Sequence, residues 1–495
     1  MFDHPFHPIP PKHEWPEGSE LRSKFGQQVL WCPKSIGGSN LSSEELEPYR
    51  FLGDGKLDRI LHLLDEQGTP LRAGDDFLLM AEKASKTKES LRSLAQKEIC
   101  SFLERYEEIP EWVDKDQLQR GQEVFLAYAP SACLSLYYRS LVPGFAIPKI
   151  AAVVRSTAYL SPPSRPDQSL RRLLDTGELT AACTALGVDS LLPGGVGWKV
   201  ALHVRVLHAK VRHALMRKQG KGRWDLNKFG VPINQEDMAA TLLAFSVNTI
   251  VGIEFVAGVE LTDREKTDYL ALWRYIGWLL GVETIQEERT KEEPSIASLP
   301  PLDPCGPGMG VKPDAIVHSF SLLQSILFHI LDPDESSIEI SHHLLKVTDR
   351  KPPSMSFREI PEEFYKNELF YFRSLQCRRF IGNPLADALH LPYHPSPWKR
   401  AKLIVKSTIF LTAVRIYTLA AKWIPGMRLL MTRYHAWGFS KFHEHWLQTH
   451  KSKLAKALHR NEKPSCITKK QKSSETRLDA PTDSLCPFAM IASPN

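Results

Sequence analysis

Apolar residues recur along most of this chain at the three- and four-residue spacing of helices that bury one face, and no long alternating strand pattern interrupts them. Leu57, Ile60, Leu61 and Leu64 follow the Gly53-Asp54-Gly55 turn at that spacing, and similar stripes run through Leu91 to Tyr106 and Gln117 to Leu141. Further helices are predicted over Pro148 to Leu160, Gln168 to Leu186, Gly197 to Lys218, Gln235 to Phe255 and Asp263 to Leu280. One start is signalled twice: Asn234 is an N-cap with Glu236 and Asp237 in the first turn, and Pro232 keeps the preceding loop from joining the helix. Ile316, Phe320, Leu323, Leu327 and Ile330 mark another buried face, and a helix is predicted from Lys402 to Ile424, stopped by Pro425. The fold class that follows is all-α.

Where this pattern lapses, the organisation of the chain shows. Residues 1–45 are Pro-rich and aperiodic, and read as an arm wrapped over the body or partly disordered. A helical core occupies 46–286. Six prolines and few large apolar residues make 287–313 a linker or long surface loop, followed by a second helical part, 314–458, packing on the core. Residues 459–495 are expected to be a disordered tail. A chain of 495 residues can form two or three compact units or one large body. Its 42% hydrophobic and 24% charged residues exclude collagen-like, disordered and multi-span membrane classes, and select no activity.

The eight cysteines, Cys32, Cys100, Cys133, Cys183, Cys305, Cys377, Cys466 and Cys486, form no CxxC pair and no CxxCH haem-attachment site, which fits unpaired thiols in a reducing compartment. Met1 to Gly18 holds five prolines and no apolar run, so a non-secreted, intracellular protein is expected. Charge is unevenly spread. Residues 399–472 carry 17 Lys or Arg against Glu444 and Glu462, a local +15 that leaves −9 for the rest of a chain whose total is +6. Together with the apolar run Ser407 to Ile424, which Arg415 and Lys422 interrupt, this points to peripheral contact with an anionic membrane rather than to a spanning helix. A core helix with snorkelling ends explains the same run equally well. No nucleic-acid partner is expected.

The most informative segment is Trp198 to Leu215, WKVALHVRVLHAKVRHAL. In a helix, Arg205, His208 and Arg212 stand at i, i+3 and i+7 on one face, while Val200, Val204, Val211 and Leu215 keep much of the remainder apolar. A helix apolar on most sides is expected to be buried, so its polar stripe would face an internal site. An imidazole can ligate haem iron and guanidinium groups can neutralise the propionates. By spacing alone, a satisfied core histidine with snorkelling arginines is the commoner explanation. RRLLDT, Arg171 to Thr176, sets Arg172 and Thr176 one turn apart, where an internal Arg and hydroxyl could hydrogen-bond oxygen. A charged, solvent-facing helix start describes it at least as well.

Four blocks in order resemble the rubber oxygenases (latex-clearing proteins) and the fungal ER-bound oxygenases of the mycophenolic acid pathway. They are RRLLDT, LLPGGVGWKVALHVRVLHAKVR, WDLNKFGVPINQEDMAATLLAFS and WRYIGWLLGV. The resemblance covers Gln122 to Glu283 and extends weakly to IGNPLADALHLP near Ile381. It implies a non-covalent haem b with His208 as proximal ligand, Arg205 and Arg212 as pocket partners, and Arg172 with Thr176 on the distal side. It further implies use of dioxygen to oxygenate a small apolar substrate of isoprenoid or polyketide type, with cleavage of a C=C bond as one outcome. It places the chain in the cytoplasm or at the periphery of the endoplasmic reticulum membrane, within fungal secondary metabolism. One departure stands out: Asp175 occupies the position of a lysine that can cap the iron in rubber oxygenases, leaving that site open, water-filled or given to a proton acceptor or structural contact.

Competing signals are weaker. Gly194-Gly195-Val196-Gly197 has neither a preceding strand nor a following Lys-Ser/Thr, so it reads as a flexible helix entry rather than a phosphate cradle. His342, His343, His443 and His445 lack companions at metal-ligand spacing and are expected at the surface. Haem-dependent hydroxylation or peroxidation, and non-catalytic haem or lipid binding, are the alternatives to oxygenation.

Overall fold

The computed structural model describes residues 9–34, 38–72, 75–157, 166–217, 224–284, 299–306, 314–347 and 362–449. Fifteen helices of nine residues or more make up most of this. They are α1 (Gly55–Glu66), α2 (Phe77–Lys86), α3 (Leu94–Glu107), α4 (Lys115–Ala127), α5 (Pro148–Ser156), α6 (Pro166–Thr184), α7 (Val196–Arg217) and α8 (Gln235–Phe245). The series continues with α9 (Val247–Ala257), α10 (Asp263–Leu280), α11 (Asp314–Ile330), α12 (Glu335–Val347), α13 (Glu362–Ile381), α14 (Pro397–Trp423) and α15 (Met427–Thr449). The all-α expectation holds for the body.

Capping chemistry sets many of the boundaries. Ser93 and Thr262 close capping boxes with Gln96 and Glu265 at the starts of α3 and α10, and Asn234 accepts from Asp237 N at 2.9 Å at the start of α8. Two continuous helices expected from periodicity are broken. The Gln117 to Leu141 stripe ends as α4 at Ala127, before Pro130 and a π-helical turn over Ser135–Leu141. Gln235 to Phe255 divides at Ser246, whose φ of −99° and ψ of −97° lie outside the helical region.

The N-terminal arm departs from the aperiodic reading. Glu20–Lys24 (β1) pairs antiparallel with Gln27–Trp31 (β2) around a turn in which Phe25 and Gly26 both have positive φ. The hairpin packs on α11: Trp31 meets Phe328 at 5.4 Å between ring centroids, and Asn40 and Leu41 reach Ser321 and Ser325.

At the centre, α10 lies along α4. Gly121 permits the approach, because a Cβ there would stand 2.4 Å from Asp268 O. Tyr269, Trp273, Tyr275 and Trp278 on α10 are fully buried. One contiguous core runs from Val29 through these aromatics to Phe442 and includes α11 and α13, so it does not divide at the Pro-rich 287–313 segment, most of which lies outside the described residues. No disulfide joins any of the six described cysteines.

Candidate functional site

The hairpin of α6 and α7 builds the site, and its glycines set how closely the two helices approach. A Cβ on Gly197 would meet Ala182 O at 2.6 Å, and one on Gly195 would meet Asp189 O at 2.3 Å. The Gly-rich loop is therefore a close-approach joint rather than merely a flexible entry. Ser190 locks it, accepting from Gly197 N at 2.9 Å and donating to Ala182 O at 2.8 Å. Cys183 Sγ lies 3.7 Å from Gly197 O. Because both helices rise about 1.5 Å per residue, eleven residues out from that contact bring His208 level with Arg172. The Arg172 to Thr176 stripe and His208 thus stand about equal numbers of residues out from the joint, one on each helix.

At the joint the two helices close on each other through Ala182 and Val200. Further out they are less tightly packed: Val204, His208 and Val211 on α7 and Arg172, Leu173, Asp175 and Thr176 on α6 are half-buried, and Leu207 is exposed. Helix α7 is accordingly buried along one face rather than on most sides, as its apolar composition suggested.

Arg205 and Arg212 are buried, and each meets a carboxylate from the start of α1. Arg205 donates through Nε to Asp54 Oδ2 at 2.6 Å and through Nη2 to Asp54 Oδ1 at 3.1 Å, while its guanidinium lies over Tyr106 at 4.6 Å. Arg212 donates through Nε to both oxygens of Asp58, at 2.9 and 2.8 Å, and through Nη1 to Ile233 O. Burial opposes ionisation of Asp54, but the Arg205 charge outweighs it and holds the carboxyl below its ordinary range. At Asp58 burial wins and pushes the carboxyl up to about 6 despite Arg212. The charges offered from sequence as counter-ions for propionates are therefore met within the protein, except that Arg212 Nη2 is buried without a partner. Gly281 backs the first pair, for a Cβ there would meet Arg205 Nε at 2.7 Å, and Gln235 ties Gly53 O to Gly281 O.

His208 lies between these pairs. Dense surrounding protein, with Arg212 nearby, pushes its imidazole down to about 4, so the ring is neutral at physiological pH. Its Nδ1 is sealed from solvent with no hydrogen-bond partner, yet the side chain as a whole keeps partial access. A buried polar atom left unsatisfied costs roughly 1–3 kcal/mol and calls for a partner. His203, on another face, contacts Asp76 at 3.4 Å and Lys199 O at 2.8 Å.

A haem fits these residues in kind. Its porphyrin provides the in-plane nitrogens, so one neutral imidazole suffices from the protein. No cluster of three His, Cys, Asp or Glu suited to a bare metal ion occurs among the described residues. His208 Nδ1 and Arg212 Nη2 are two of the buried polar atoms that lack a hydrogen-bond partner among the described residues.

On α6, Thr176 donates its hydroxyl to Arg172 O at 3.2 Å, leaving its lone pairs to accept. Asp175 Oδ1 accepts from Trp446 Nε1 of α15 at 3.2 Å, and burial pushes its carboxyl up to about 6. One turn on, Glu178 is buried and pairs with His443, which overturns the expectation of a surface histidine there. His342 and His343 are half-buried, held by Leu389 O and by Ser169. Sequence reasoning missed Asp54, Asp58, Glu178 and Trp446; the N-cap signature of Asp54 before α1 was its one visible sign.

Residues 128–293, which contain all six candidate residues, match the family model described as "ER-bound oxygenase mpaB/B'/Rubber oxygenase, catalytic domain". A rubber oxygenase from Streptomyces sp. (strain K30) is 24% identical over 298 residues, and the match covers 58% of this chain and 66% of that protein, just under two thirds of its length. A solved structure of latex clearing protein LCP in the closed state aligns over 80% of this chain and 91% of that one, with a TM-score of 0.49 and 17% identity.

Proposed function

We propose, from the premise that residues 128–293 carry the catalytic domain of the ER-bound oxygenase and rubber oxygenase family, that this chain is a haem b-dependent oxygenase using dioxygen on an apolar, isoprenoid- or polyketide-type substrate. The observation that supports it most is His208, a neutral imidazole with a sealed, unpartnered nitrogen, level with the Arg172 to Thr176 stripe.

Bound haem would supply the oxygen-activating chemistry. The remaining work falls to side chains of this chain. His208 would hold the iron, and Arg212, through Nη2, would offer a propionate a donor not spent on Asp58. Arg205, committed to Asp54, would fix the level of α7 rather than bind the cofactor. Arg172 and the free lone pairs of Thr176 would orient an oxygen or a polar group of the substrate. Asp175, where the rubber oxygenases it resembles have a lysine, would hold a proton on its carboxyl below about pH 6 and offers a carboxyl in place of an amine. Oxidative cleavage of a C=C bond is the reaction proposed; hydroxylation at the same site would leave the carbon chain whole.

The test is an absorption spectrum of the full chain supplied with hemin, for the parent and for His208→Ala. A Soret band in the parent, lost in a variant of unchanged helicity, is the expected result. Full haem retention by His208→Ala removes the ligand assignment. A Soret band with no oxygen uptake in the presence of a reductant and a polyene removes the oxygenase reading, and two carbonyl products distinguish cleavage from hydroxylation.

A further inference from the structure

Helices α14 and α15 turn much of their apolar surface outward. The most apolar stretch of α14 is only 17% buried, against 78% for the comparably apolar Gln235–Ala257 in the core. Its inner face, Leu403, Ser407, Thr418 and Ala421, rests on the body against α9 and α13. The opposite ridge of Val405, Ile409, Ile416 and Trp423 faces outward, and Leu430, Tyr434 and Trp437 continue it at helical spacing on α15. The ridges meet at the Pro425-Gly426 turn. There Trp423 is 65% exposed, Leu430 62% and Trp437 58%, with Ile424 and Leu429 beside them. An apolar patch this continuous marks an interaction surface.

Charge indicates what covers it. Residues 397–449 carry nine Lys or Arg against Glu444 alone. Three of these bend inward, Arg415 to Ala257 O, Lys422 to Glu260 O and Arg428 to Glu265, which leaves the tip itself apolar. Lys399, Arg400, Lys402 and Lys406 remain exposed at the far end of α14, beside the Val405 and Ile409 part of the ridge, and Arg433 is exposed next to the tip. A second copy of the chain would set one basic surface against another. An anionic bilayer presents the opposite charge at its headgroups and apolar chains just beneath, and indole rings favour that boundary. The inner face of α14 rests on the protein body, so the proposal concerns its outward ridge alone.

We propose that the α14–α15 turn is a lipid-docking tip, with Trp423, Leu430 and Trp437 entering the outer layer of an anionic membrane while the exposed basic residues meet its headgroups. This holds whether or not the chain binds haem, and its test reads neither haem nor oxygen.

The full chain is sedimented with vesicles of phosphatidylcholine alone and of phosphatidylcholine with phosphatidylserine, beside the triple variant Trp423→Ser, Leu430→Ser, Trp437→Ser. These side chains are exposed, so circular dichroism and thermal midpoint should not change. The parent should bind the anionic vesicles, and the variant should bind roughly tenfold more weakly or worse. Exchanging Lys399, Arg400, Lys402 and Lys406 for Gln should reduce the preference for phosphatidylserine. Lipids brominated on the acyl chain should quench parent tryptophan fluorescence, and much less so in Trp423→Phe, Trp437→Phe. Equal sedimentation of parent and triple variant overturns the proposal. So does a parent that stays in the supernatant with both vesicles, or one whose tip variant converts a dimer to a monomer without any vesicle binding.

Discussion

Asp54 and Arg205 form a buried, two-bond ion pair, and its value to the fold lies in neither charge being left alone. Replacing Asp54 with Ala should cost about 3–5 kcal/mol in urea unfolding, because Arg205 would remain buried without its counter-charge. Pairing Asp54→Ala with Arg205→Met should recover much of that loss, and a double variant as unstable as the single one would show that backbone distortion is responsible. A second test concerns Asp175, whose carboxyl stands near 6 when folded against an ordinary 3.8. Between those values the native state holds a proton that the unfolded chain has released, so native stability falls as pH rises through the window. The full shift corresponds to about 3 kcal/mol, and residual solvent access reduces the expected change to about 1–2 kcal/mol. Asp175→Asn should flatten that part of the stability profile; a profile of unchanged slope would assign it to the other raised carboxyls, such as Asp58 and Asp303. At this scale the sequence displayed one half of each pair. Arg205, His208 and Arg212 fall on one face by local spacing, whereas Asp54 and Asp58 lie 151 and 154 residues away, where no periodicity reaches.

Helices were legible wherever one face is apolar and a cap marks the start, as in α10, whose bounds match the periodic stretch Asp263 to Leu280. Helix α13 was not, because its buried side includes Arg373 and Arg378, so charged residues surround it on all sides. Helix α15 escaped for a related reason: its outward ridge is as apolar as its inward one. The β1–β2 hairpin was missed because its strands are only five residues long and lie in a proline-rich neighbourhood. What composition could not convey about the α6–α7 loop is how tightly it joins the two helices. Gly197→Ala would drive a methyl against the Ala182 carbonyl, a backbone atom that cannot rotate away. The expected loss is about 1–3 kcal/mol, read as a lower thermal midpoint. Gly194→Ala at the same loop meets no atom but has a φ of +84°, so its cost should be backbone strain alone. If Gly197→Ala is silent, the close approach is not what sets the hairpin.

Across the whole molecule, composition suggests a seam where the core has none. The proline-rich 287–313 segment separates two stretches of chain, but the described residues on either side share one hydrophobic cluster: α10 packs on α11, α15 packs on α4, and Trp446 reaches Asp175. Proline content reports on a segment's own conformation, whereas a core is shared between segments distant in sequence, so a linker-like composition at 287–313 does not by itself divide the core. Calorimetry of the full chain should therefore show one cooperative transition with calorimetric and van't Hoff enthalpies in agreement. A protease site inserted at residue 290 and then cut should leave two fragments that co-elute in native buffer, because separation would expose the buried faces of α10 and α11. The same fragments expressed separately should fail to give sharp thermal transitions and should regain one on mixing. Two resolved transitions in the intact chain, or a fragment ending near 290 that unfolds cooperatively alone, would divide the molecule where its prolines do and make the C-terminal helices, lipid-docking tip included, an independent module.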